Sequence, residues 1–306
     1  MATAEGIRRL RVPGRFAFEG TDVAVGDWVA LAGSAVDSVL PRRSAIVRNA
    51  AGRATRMQTL VANVDLAFVV SSLGPDLDLR RLERYLVTIW ESGADPEVVL
   101  TKADRFEDAS GFVADVEAVA PAVPVHVVSA RTGEGCDELR ARIAPGVTSV
   151  LLGSSGVGKS TLVNRFTGTE RMATKETRAD DDEGRHTTSH RELILLPGGG
   201  IVIDTPGLRE LQLAETAGGF DAAFADVEEL AAACRFNDCA HEGEPGCAVL
   251  AAVESGALAE ERLESWRKLQ RELHAIAIRN DHLLRKEETR RWKLLSRDAR
   301  TRTRPR

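Results

Sequence analysis

The sequence predicts an α/β protein in which helices cover both faces of a parallel sheet, with a small β-barrel before the sheet and a helical region after it. Between residues 61 and 220, short apolar runs alternate with stretches of helical period. Before residue 61, β-like runs are broken by glycine and proline, and after residue 220 a helical pattern is interrupted by a cysteine cluster. Uninterrupted apolar strands separated by helices are typical of parallel sheets that are buried on both faces.

The N-terminal 60 residues predict the barrel. β-like runs occur at 23–30 and 45–48, and no helical period of any length is visible. Short strands avoid exposed edges by closing into a barrel.

The sheet is predicted from five apolar runs, at 66–70, 98–100, 125–128, 150–152 and 201–203. A helix is predicted over 79–89, where Leu79, Leu82, Leu86 and Ile89 share one face. Ligands of open α/β sheets bind beyond the carboxyl ends of the strands. We therefore expect the motif-bearing loops to follow these five runs.

The C-terminal region predicts a long charged helix over about 258–295. Its apolar stripe contains Leu263, Trp266, Leu269 and Leu273. The last ten residues, 297–306, form a basic tail that we expect to be frayed.

Composition excludes several classes of protein. The chain has 306 residues, of which 43% are hydrophobic and 28% charged, so a core can form and global disorder is excluded. No window approaches the roughly 18 consecutive apolar residues of a membrane span. Residues 1–15 contain no apolar segment of a secretory signal. A cytoplasmic protein without a membrane role is expected.

Charge is segregated along the chain. Residues 1–60 carry nine Arg against five acidic residues, and residues 279–306 carry eleven Lys or Arg against four. The net charge of −5 therefore contains two basic ends and an acidic centre. This pattern favours a polyanionic partner for the ends, although solvated charged faces explain it equally well.

A phosphate-binding loop is predicted directly after the run at 150–152. The segment matches G-x-x-x-x-G-K-[ST] and leads into a helical stretch at Thr161: Gly153-Ser154-Ser155-Gly156-Val157-Gly158-Lys159-Ser160. Such glycines let backbone N–H groups surround phosphates. Lys159 would reach the β- and γ-phosphates, and the Ser160 hydroxyl would ligate Mg²⁺. The alternative is a glycine-rich turn.

A base-reading loop is predicted after the run at 98–100, in Thr101-Lys102-Ala103-Asp104. The Asp104 carboxylate can accept two hydrogen bonds from the N1–H and amino group of guanine, which adenine does not offer as a pair. Lys102 would lie over the base, and the backbone at Ser129-Ala130 would read its O6 atom. Taken alone the four-residue match is equally consistent with a surface turn, and an ATP-using protein is a further alternative.

Two further loops suit the γ-phosphate and Mg²⁺. Asp204 ends the run at 201–203 and begins Asp204-Thr205-Pro206-Gly207, where the carboxylate would hold Mg²⁺ and the Gly207 amide would sense the γ-phosphate. Upstream, Thr187 or Thr188 would supply another Mg²⁺ ligand from a polar loop. The sequence does not decide which; Thr188 is the one that we assign.

The order of these elements carries a resemblance to a known family. The guanine loops precede the phosphate loop, the threonines and Asp204, whereas in small GTPases they follow them, so the same ring of elements has been cut and rejoined at another point. The chain thus resembles the circularly permuted GTPases of the TRAFAC class, and in particular the ribosome small-subunit-dependent GTPase A family. The segments that carry the resemblance are Val25-Gly26-Asp27, Pro41-Arg42, Ala62-Asn63-Val64-Asp65, Gly184-Arg185-His186-Thr187-Thr188 and Cys234-Arg235-Phe236-x-Asp238-Cys239-x-His241-x-x-Glu244-Pro245-Gly246-Cys247.

The resemblance implies a three-part architecture and a function. An OB-like, RNA-binding barrel would span 1–60, a circularly permuted P-loop GTPase domain 61–220, and a helical zinc-binding domain with a basic tail 221–306. The family hydrolyses GTP to GDP and phosphate, is stimulated by the small ribosomal subunit and its 16S rRNA, and is released after hydrolysis late in 30S maturation. We expect a monomer.

Two departures from the family pattern carry expectations of their own. Val25-Gly26-Asp27 comes early, so the usual first strand of the barrel is either absent or its start is misassigned. Thr101 stands where Asn is often found, and we expect this replacement to loosen a bridge between the guanine loop and the phosphate loop.

The residue that orients the attacking water is predicted from the replacement of a glutamine. Leu208 stands where Ras-like enzymes use Gln to orient the attacking water. His186 is the nearest polar substitute and resembles the proposed catalytic His of the family. A loop His oriented by phosphate or RNA is an equal alternative, and a GTP-gated, rRNA-binding chaperone with negligible hydrolysis is the alternative function.

The cysteine cluster predicts one structural zinc ion. The spacing Cys234-x₄-Cys239-x-His241-x₅-Cys247 supplies three thiolates and one imidazole, which closes a tetrahedral site. Disulfides or free thiols are the alternative. Cys136 stands alone and is interpreted as a simple thiol.

Overall fold

The computed structural model describes residues 2–3, 6–7, 10–18, 21–49, 57–169, 192–204 and 218–280. Several predicted features lie outside the described residues, namely His186, Thr187, Thr188, Gly207 and the basic tail.

The N-terminal region consists of short antiparallel ladders. Its elements are β1 (Ala2–Thr3), β2 (Gly6–Ile7), α1 (Arg15–Phe18), β3 (Val29–Ala32), β4 (Ala35–Val39), β5 (Ala45–Asn49) and β6 (Met57–Ala62). Among the described residues, β1 pairs with β2, β3 with β4, and β5 with β6, as three separate ladders rather than one continuous sheet. Isolated bridges join Arg11 to Ala35 of β4 and Val25 to Val61 of β6.

The predicted run at 45–48 is confirmed as β5, but the run at 23–30 is a strand only from Val29 onward. Asp27 explains the difference, because its carboxylate accepts a hydrogen bond from the Ala24 N–H at 2.8 Å and another from the Arg42 Nε at 2.7 Å. These bonds close a turn in which Gly26 has φ 95°. A Cβ atom at Gly26 would lie 1.9 Å from the Ala62 carbonyl oxygen, so the turn packs directly on the end of β6.

The central sheet has six strands. They are β7 (Leu66–Ser72), β8 (Asp95–Thr101), β9 (Val125–Val127), β10 (Thr148–Leu152), β11 (Glu192–Leu195) and β12 (Ile201–Asp204). Their order is β11-β12-β10-β7-β8-β9, and all neighbours are parallel except β11 with β12. All five predicted strands are confirmed. β11 was not predicted, although Leu193-Ile194-Leu195-Leu196 is an apolar run; it is an antiparallel edge strand with two exposed residues.

The helices lie on both faces of the sheet and in the C-terminal region. They are α2 (Leu79–Ser92), α3 (Ser110–Val119), α4 (Cys136–Arg142), α5 (Lys159–Thr167), α6 (Gly219–Ala223), α7 (Ala225–Ala231), α8 (Ala248–Ser255) and α9 (Glu260–Asn280). The predicted helix over 79–89 is confirmed as α2, whose first turn is capped by the Asp78 side chain and whose end is capped by Gly93. No helix in the described part of the chain combines the length and apolar character needed to cross a membrane.

Two apolar clusters hold the layers together, one on each face of the sheet. Along β7, Phe68 and Val70 belong to the cluster shared with α4 and α5, whereas Ala67 and Val69 belong to the cluster shared with α2. The second cluster continues into the C-terminal helices through Leu263, Trp266 and Leu269, which are the residues of the predicted α9 stripe. The C-terminal region therefore shares a core with the sheet.

A buried ion pair links α9 to α2. The guanidinium of Arg262 lies 2.6 Å from the Glu83 carboxylate, and both side chains are 2% exposed. Arg262 also pairs with Asp226 at 2.8 Å and lies 4.1 Å from the centre of the Phe224 ring. Burial raises the pKa of Glu83, although Ser265 and Arg262 both donate hydrogen bonds to its carboxylate. The cost of burying these charges is thus offset by a full set of partners.

Candidate nucleotide site and metal centre

The phosphate loop connects β10 to α5 at the carboxyl edge of the sheet. Gly153 has φ 143°, and a Cβ atom there would lie 2.1 Å from the Val70 carbonyl oxygen, so only glycine allows the loop to approach β7. Gly158 is the N-cap of α5 with φ 102° and provides no side-chain cap. Because a helix N-terminus has unpaired N–H groups, this one is open to an anion.

The Lys159 ammonium group folds back over its own loop. Its Nζ atom donates hydrogen bonds to the Gly153 carbonyl at 2.8 Å and to the Ser154 carbonyl at 2.6 Å. This contact places a positive charge directly above the loop. Ser155 and Gly156 are exposed on the same loop, whereas Val157 is buried beneath it.

Ser160 and Asp204 lie at the same edge of the sheet. Ser160 is in the first turn of α5, and Asp204 is the last residue of β12, the parallel neighbour of β10. Asp204 is buried, with only 8% of its surface exposed. A hydroxyl and a carboxylate are oxygen ligands of the kind that Mg²⁺ prefers.

The Thr101–Asp104 segment forms a tight turn after β8. Lys102 adopts a left-handed conformation with φ 64°, and a 3-10 turn over Ala103–Arg105 follows. The Ala103 N–H donates to the Val128 carbonyl at 3.2 Å, which ties this turn to the loop that follows β9.

The Asp104 carboxylate has two side-chain partners. The Ser129 hydroxyl donates to Oδ1 at 2.5 Å, and the Arg131 Nε donates to Oδ2 at 2.8 Å. These two hydrogen bonds, with Ser129 making the larger contribution, lower the pKa of Asp104 below its ordinary value of 3.8. The carboxylate is therefore ionised and oriented, with Ala130 directly beside it in the chain.

A hydrogen bond joins the two loops. The Thr101 hydroxyl lies 2.5 Å from the Val157 carbonyl oxygen of the phosphate loop and 3.2 Å from the Ser71 carbonyl oxygen. The bridge between the two loops is therefore present with threonine at this position, and the expectation that it is looser than with asparagine stays a prediction. The structure therefore brings together 101–104, 129–130 and 153–160, with Asp204 on the next strand beyond β10.

The residues expected to touch the γ-phosphate are not placed. His186, Thr187, Thr188 and Gly207 lie outside the described residues. Arg131 is a polar residue of the site that the sequence reasoning missed. Its position directly after Ser129-Ala130 was the available signal, since a basic residue there is one step from the predicted base-reading loop.

The four predicted metal ligands converge in the C-terminal region. One donor atom from each of Cys234, Cys239, His241 and Cys247 lies within 4.8 Å of every other. The Nδ1 atom of His241 is 3.4 Å from the Cys247 sulfur, and the sulfurs of Cys234 and Cys247 are 3.9 Å apart. Ligands about 2.3 Å from a tetrahedral ion are separated by about 3.8 Å, whereas a disulfide needs about 2.05 Å. The donor set fits zinc.

The α8 N-terminus supports the ligands. Cys247 is its N-cap, and its sulfur accepts a hydrogen bond from the Leu250 N–H at 3.4 Å. The Ala248 N–H donates to the Cys234 sulfur at 3.3 Å. Burial opposes ionisation of Cys234, but hydrogen bonds from the backbone at Val249 and Ala248 outweigh it and lower its pKa. Helix N-termini stabilise thiolates in this way.

Two charged residues shape the surroundings of the cluster. The Glu244 carboxylate accepts hydrogen bonds from the backbone N–H groups of Ala240, Glu242 and Gly243 at 2.9–3.2 Å. The backbone N–H of Glu244 itself makes the largest contribution, and together these hydrogen bonds lower the pKa of Glu244 to about 2. Arg267 donates to the His241 carbonyl, and its buried Nε has no hydrogen-bond partner within the described part of the chain. Zinc with three thiolates and one imidazole carries a net charge of about −1. A neighbouring guanidinium therefore suits the loaded site.

Sequence comparison identifies the relatives of the chain. A family model described as RsgA GTPase matches residues 39–214. The small ribosomal subunit biogenesis GTPase RsgA of Streptomyces avermitilis is 53% identical over 278 residues, which cover 89% of this chain and 75% of that protein. The protein of the same name from Streptomyces coelicolor is 52% identical and is covered to 76%.

Structure comparison finds the same architecture. The crystal structure of YjeQ from Thermotoga maritima matches with a TM-score of 0.64 and 27% identity, covering 86% of this chain and 89% of that chain. YloQ, described as a circularly permuted GTPase, matches with a TM-score of 0.60 and 25% identity, covering 89% of this chain and 88% of that chain.

Proposed function

We propose, from the premise that this chain belongs to the RsgA GTPase family, that the small ribosomal subunit stimulates its hydrolysis of GTP and that hydrolysis releases it from the subunit late in maturation. Membership of the family makes it a circularly permuted GTPase, a GTP hydrolase with a role in ribosome biogenesis. The observation that carries the assignment of the nucleotide is the Thr101–Val157 hydrogen bond, which fixes the base-reading loop beside the phosphate loop.

Each end of the site has a proposed role. Asp104 accepts hydrogen bonds from guanine, Lys102 lies over the base, and the backbone at Ser129-Ala130 faces O6. The backbone from Gly153 to Ser160, with Thr161 following, surrounds the phosphates, and Lys159 moves from its loop carbonyls to the β- and γ-phosphates. Ser160, Thr188 and Asp204 would hold Mg²⁺, which neutralises charge on the transferred phosphoryl group.

The hydrolytic step follows from the same assignment. Water attacks the γ-phosphorus, the bond to the β–γ bridging oxygen breaks, and GDP and phosphate leave. We propose that His186 orients the water, since Leu208 has no polar group. Thr187 is the alternative Mg²⁺ ligand, and the Gly207 amide is the proposed γ-phosphate sensor.

The remaining proposals concern the partner and the metal. The basic ends of the chain favour phosphate contacts with 16S rRNA, because neutralising phosphates supplies most of the affinity in such complexes. Cys234, Cys239, His241 and Cys247 would hold one structural zinc ion, which adds stability and no catalytic step. We expect a monomer that works in the cytoplasm, where ribosomal subunits are assembled.

The test is multiple-turnover phosphate release with and without purified small subunits. We expect subunits to raise the turnover of the native chain and His186→Ala to lower the stimulated rate by about 100-fold, the usual contribution of a positioned catalytic side chain. His190→Ala is the matched control, because it removes another histidine four positions along the same segment. Equal rates with and without subunits would overturn the proposed stimulation and favour the alternative of a GTP-gated chaperone.

A further inference from the structure

We infer that Arg131 competes with guanine for the Asp104 carboxylate: its guanidinium binds the carboxylate in the absence of nucleotide and is displaced by the base. This inference rests on the proposed role of Asp104 and adds a positioning residue to the same site. It makes the binding of a guanine nucleotide an exchange of one pair of donors for another.

The contacts on Asp104 divide between a buried and an exposed partner. Ser129 is fully buried and donates to Oδ1 at 2.5 Å. Arg131 donates a hydrogen bond from Nε to Oδ2 at 2.8 Å, its Nη2 atom lies 2.8 Å from the same oxygen as an ion pair, and its side chain is 73% exposed. The Asp104 side chain is 10% exposed. Oδ1 is thus bound by a buried hydroxyl, and Oδ2 is bound by a long, exposed side chain that can move into solvent.

The chemistry of the two competing ligands is alike. Guanine presents its N1–H and its amino group side by side on one edge. An arginine guanidinium presents Nε–H and Nη2–H in a similar planar fork. Arg131 approaches Oδ2 with both nitrogens of this fork, and its Nε–H donates a hydrogen bond to that oxygen. A base that reads Asp104 with two donors must therefore displace at least one of them.

The phosphate end of the site has a parallel arrangement. Lys159 donates to the carbonyls of Gly153 and Ser154 at 2.8 and 2.6 Å, where a bound nucleotide would place phosphate oxygens within its reach. Both ends thus hold their charged group with a partner from the chain itself. Between them, the Thr101–Val157 hydrogen bond keeps the loops in register. Contacts within the chain therefore organise both ends of the site.

Displacing Arg131 costs little, because an exposed ion pair is weak. We expect removal of the guanidinium to raise guanine-nucleotide affinity by about two- to fivefold, through faster association. The hydrogen bonds from Ser129 and Arg131 both lower the pKa of Asp104. The Arg131–Asp104 ion pair therefore also helps to keep the carboxylate ionised.

The experiment compares Arg131→Ala with Arg105→Ala in the full zinc-loaded chain, using fluorescent GDP in a stopped-flow instrument. Arg105 is exposed in the turn next to Asp104, and no ion pair of its side chain is seen among the described residues. The control therefore measures the effect of losing one positive charge near an anionic ligand. We expect Arg131→Ala to associate about two- to fivefold faster than Arg105→Ala, with a difference that shrinks as salt rises, because salt screens an exposed pair.

Further variants separate the possible outcomes. Arg131→Lys keeps the charge but loses the planar fork, and we expect an intermediate rate. In an Asp104→Asn background, with xanthosine diphosphate as the ligand, the effect of Arg131→Ala should vanish. Slower association or weaker GDP binding in Arg131→Ala than in Arg105→Ala would overturn the inference and make Arg131 a direct base contact. Unchanged GDP binding in Asp104→Asn would instead refute the proposed guanine role itself.

Discussion

Two helices of this protein, α5 and α8, begin in opposite ways, and the difference separates an exchangeable site from a permanent one. The N-cap of α5 is Gly158, which offers no side-chain acceptor, so the first N–H groups are available to phosphates. The N-cap of α8 is Cys247, and thiol sulfurs already accept the N–H groups of Ala248 and Leu250. The same positive helix terminus is open to phosphates in one region and supports the thiolates of a candidate zinc site in the other.

The carboxylates beside the two sites follow the same division. Asp104 is held by side chains, one of which is exposed and replaceable. The Glu244 carboxylate is held by the backbone N–H groups of Ala240, Glu242 and Gly243, which cannot swing away as an exposed side chain can. Both arrangements lower the pKa of the carboxyl group, but only the first leaves an edge that a substrate can take over.

The largest expected effect is the loss of the metal. Cys247→Ser and Cys247→Ala should both reduce bound zinc from about one ion per chain to a small fraction, measured by elemental analysis, because a tetrahedral site needs all four ligands. The serine variant should be about 1 kcal/mol more stable than the alanine variant, since a serine oxygen can still cap α8. GDP affinity should change little, because the phosphate loop depends on another helix.

Cys136→Ala is the control for this prediction. Cys136 is buried and lies outside the cluster, so the variant should keep its zinc. A Cys247 variant that retained a full zinc ion would contradict the four-ligand assignment. A large loss of GDP affinity would show that the two regions are not independent.

The next prediction concerns the link between the regions. Arg262→Met should lower the free energy of unfolding by about 3–5 kcal/mol in urea denaturation, because Glu83 would be left buried with an uncompensated charge. Arg84→Met is a matched control, since Arg84 also joins α2 to α9, pairing with Glu272 at 2.7 Å, but both side chains are about one-third exposed. Its expected cost is below about 1 kcal/mol. Similar losses in the two variants would refute the importance of burial.

A smaller effect is expected at the bridge inside the nucleotide site. Thr101→Val preserves the shape of the side chain but removes the donor to the Val157 carbonyl. We expect about 1 kcal/mol of weaker binding, seen as an approximately fivefold faster release of GDP. Thr88→Val makes the same chemical change in α2, where the hydroxyl bonds only to the Arg84 carbonyl. Equal release rates for both variants would argue against a bridge that supports the nucleotide.

The smallest effect is a difference in titration. Glu244 has a pKa of about 2, against an ordinary value of 4.5, so its stabilising contribution is complete above about pH 4.5 and is lost as the pH falls toward 2. The carboxyl carbon resonance of Glu244, assigned with Glu244→Gln, should therefore stay constant between pH 6 and pH 4 in NMR spectra. A midpoint near pH 4.5 would mean that the three backbone hydrogen bonds do not form in solution.

Local patterns were enough to predict much of this molecule. The strands at 66–70, 98–100, 150–152 and 201–203 are continuous apolar runs, because their side chains pack into the clusters on both faces of the sheet. The run at 125–128 contains His126 and forms β9, a half-buried edge strand. The phosphate loop and the spacing of the ligands from Cys234 to Cys247 depend on short-range geometry, so both can be predicted from residues that are close together in the sequence. β11 was missed although residues 193–196 form an apolar run, and its place at the edge of the sheet is set by its antiparallel pairing with β12.

The sequence by itself determined which chemical groups are present and which strand each one follows, since hydrophobic period and glycine placement act over a few residues. Only the tertiary structure decided which groups meet. The Thr101–Val157 bond spans 56 positions, and the Arg262–Glu83 pair spans 179. Arg131 faces Asp104 across two neighbouring strands. Contacts of this kind depend on strand order and side-chain direction, which no local pattern of residues specifies.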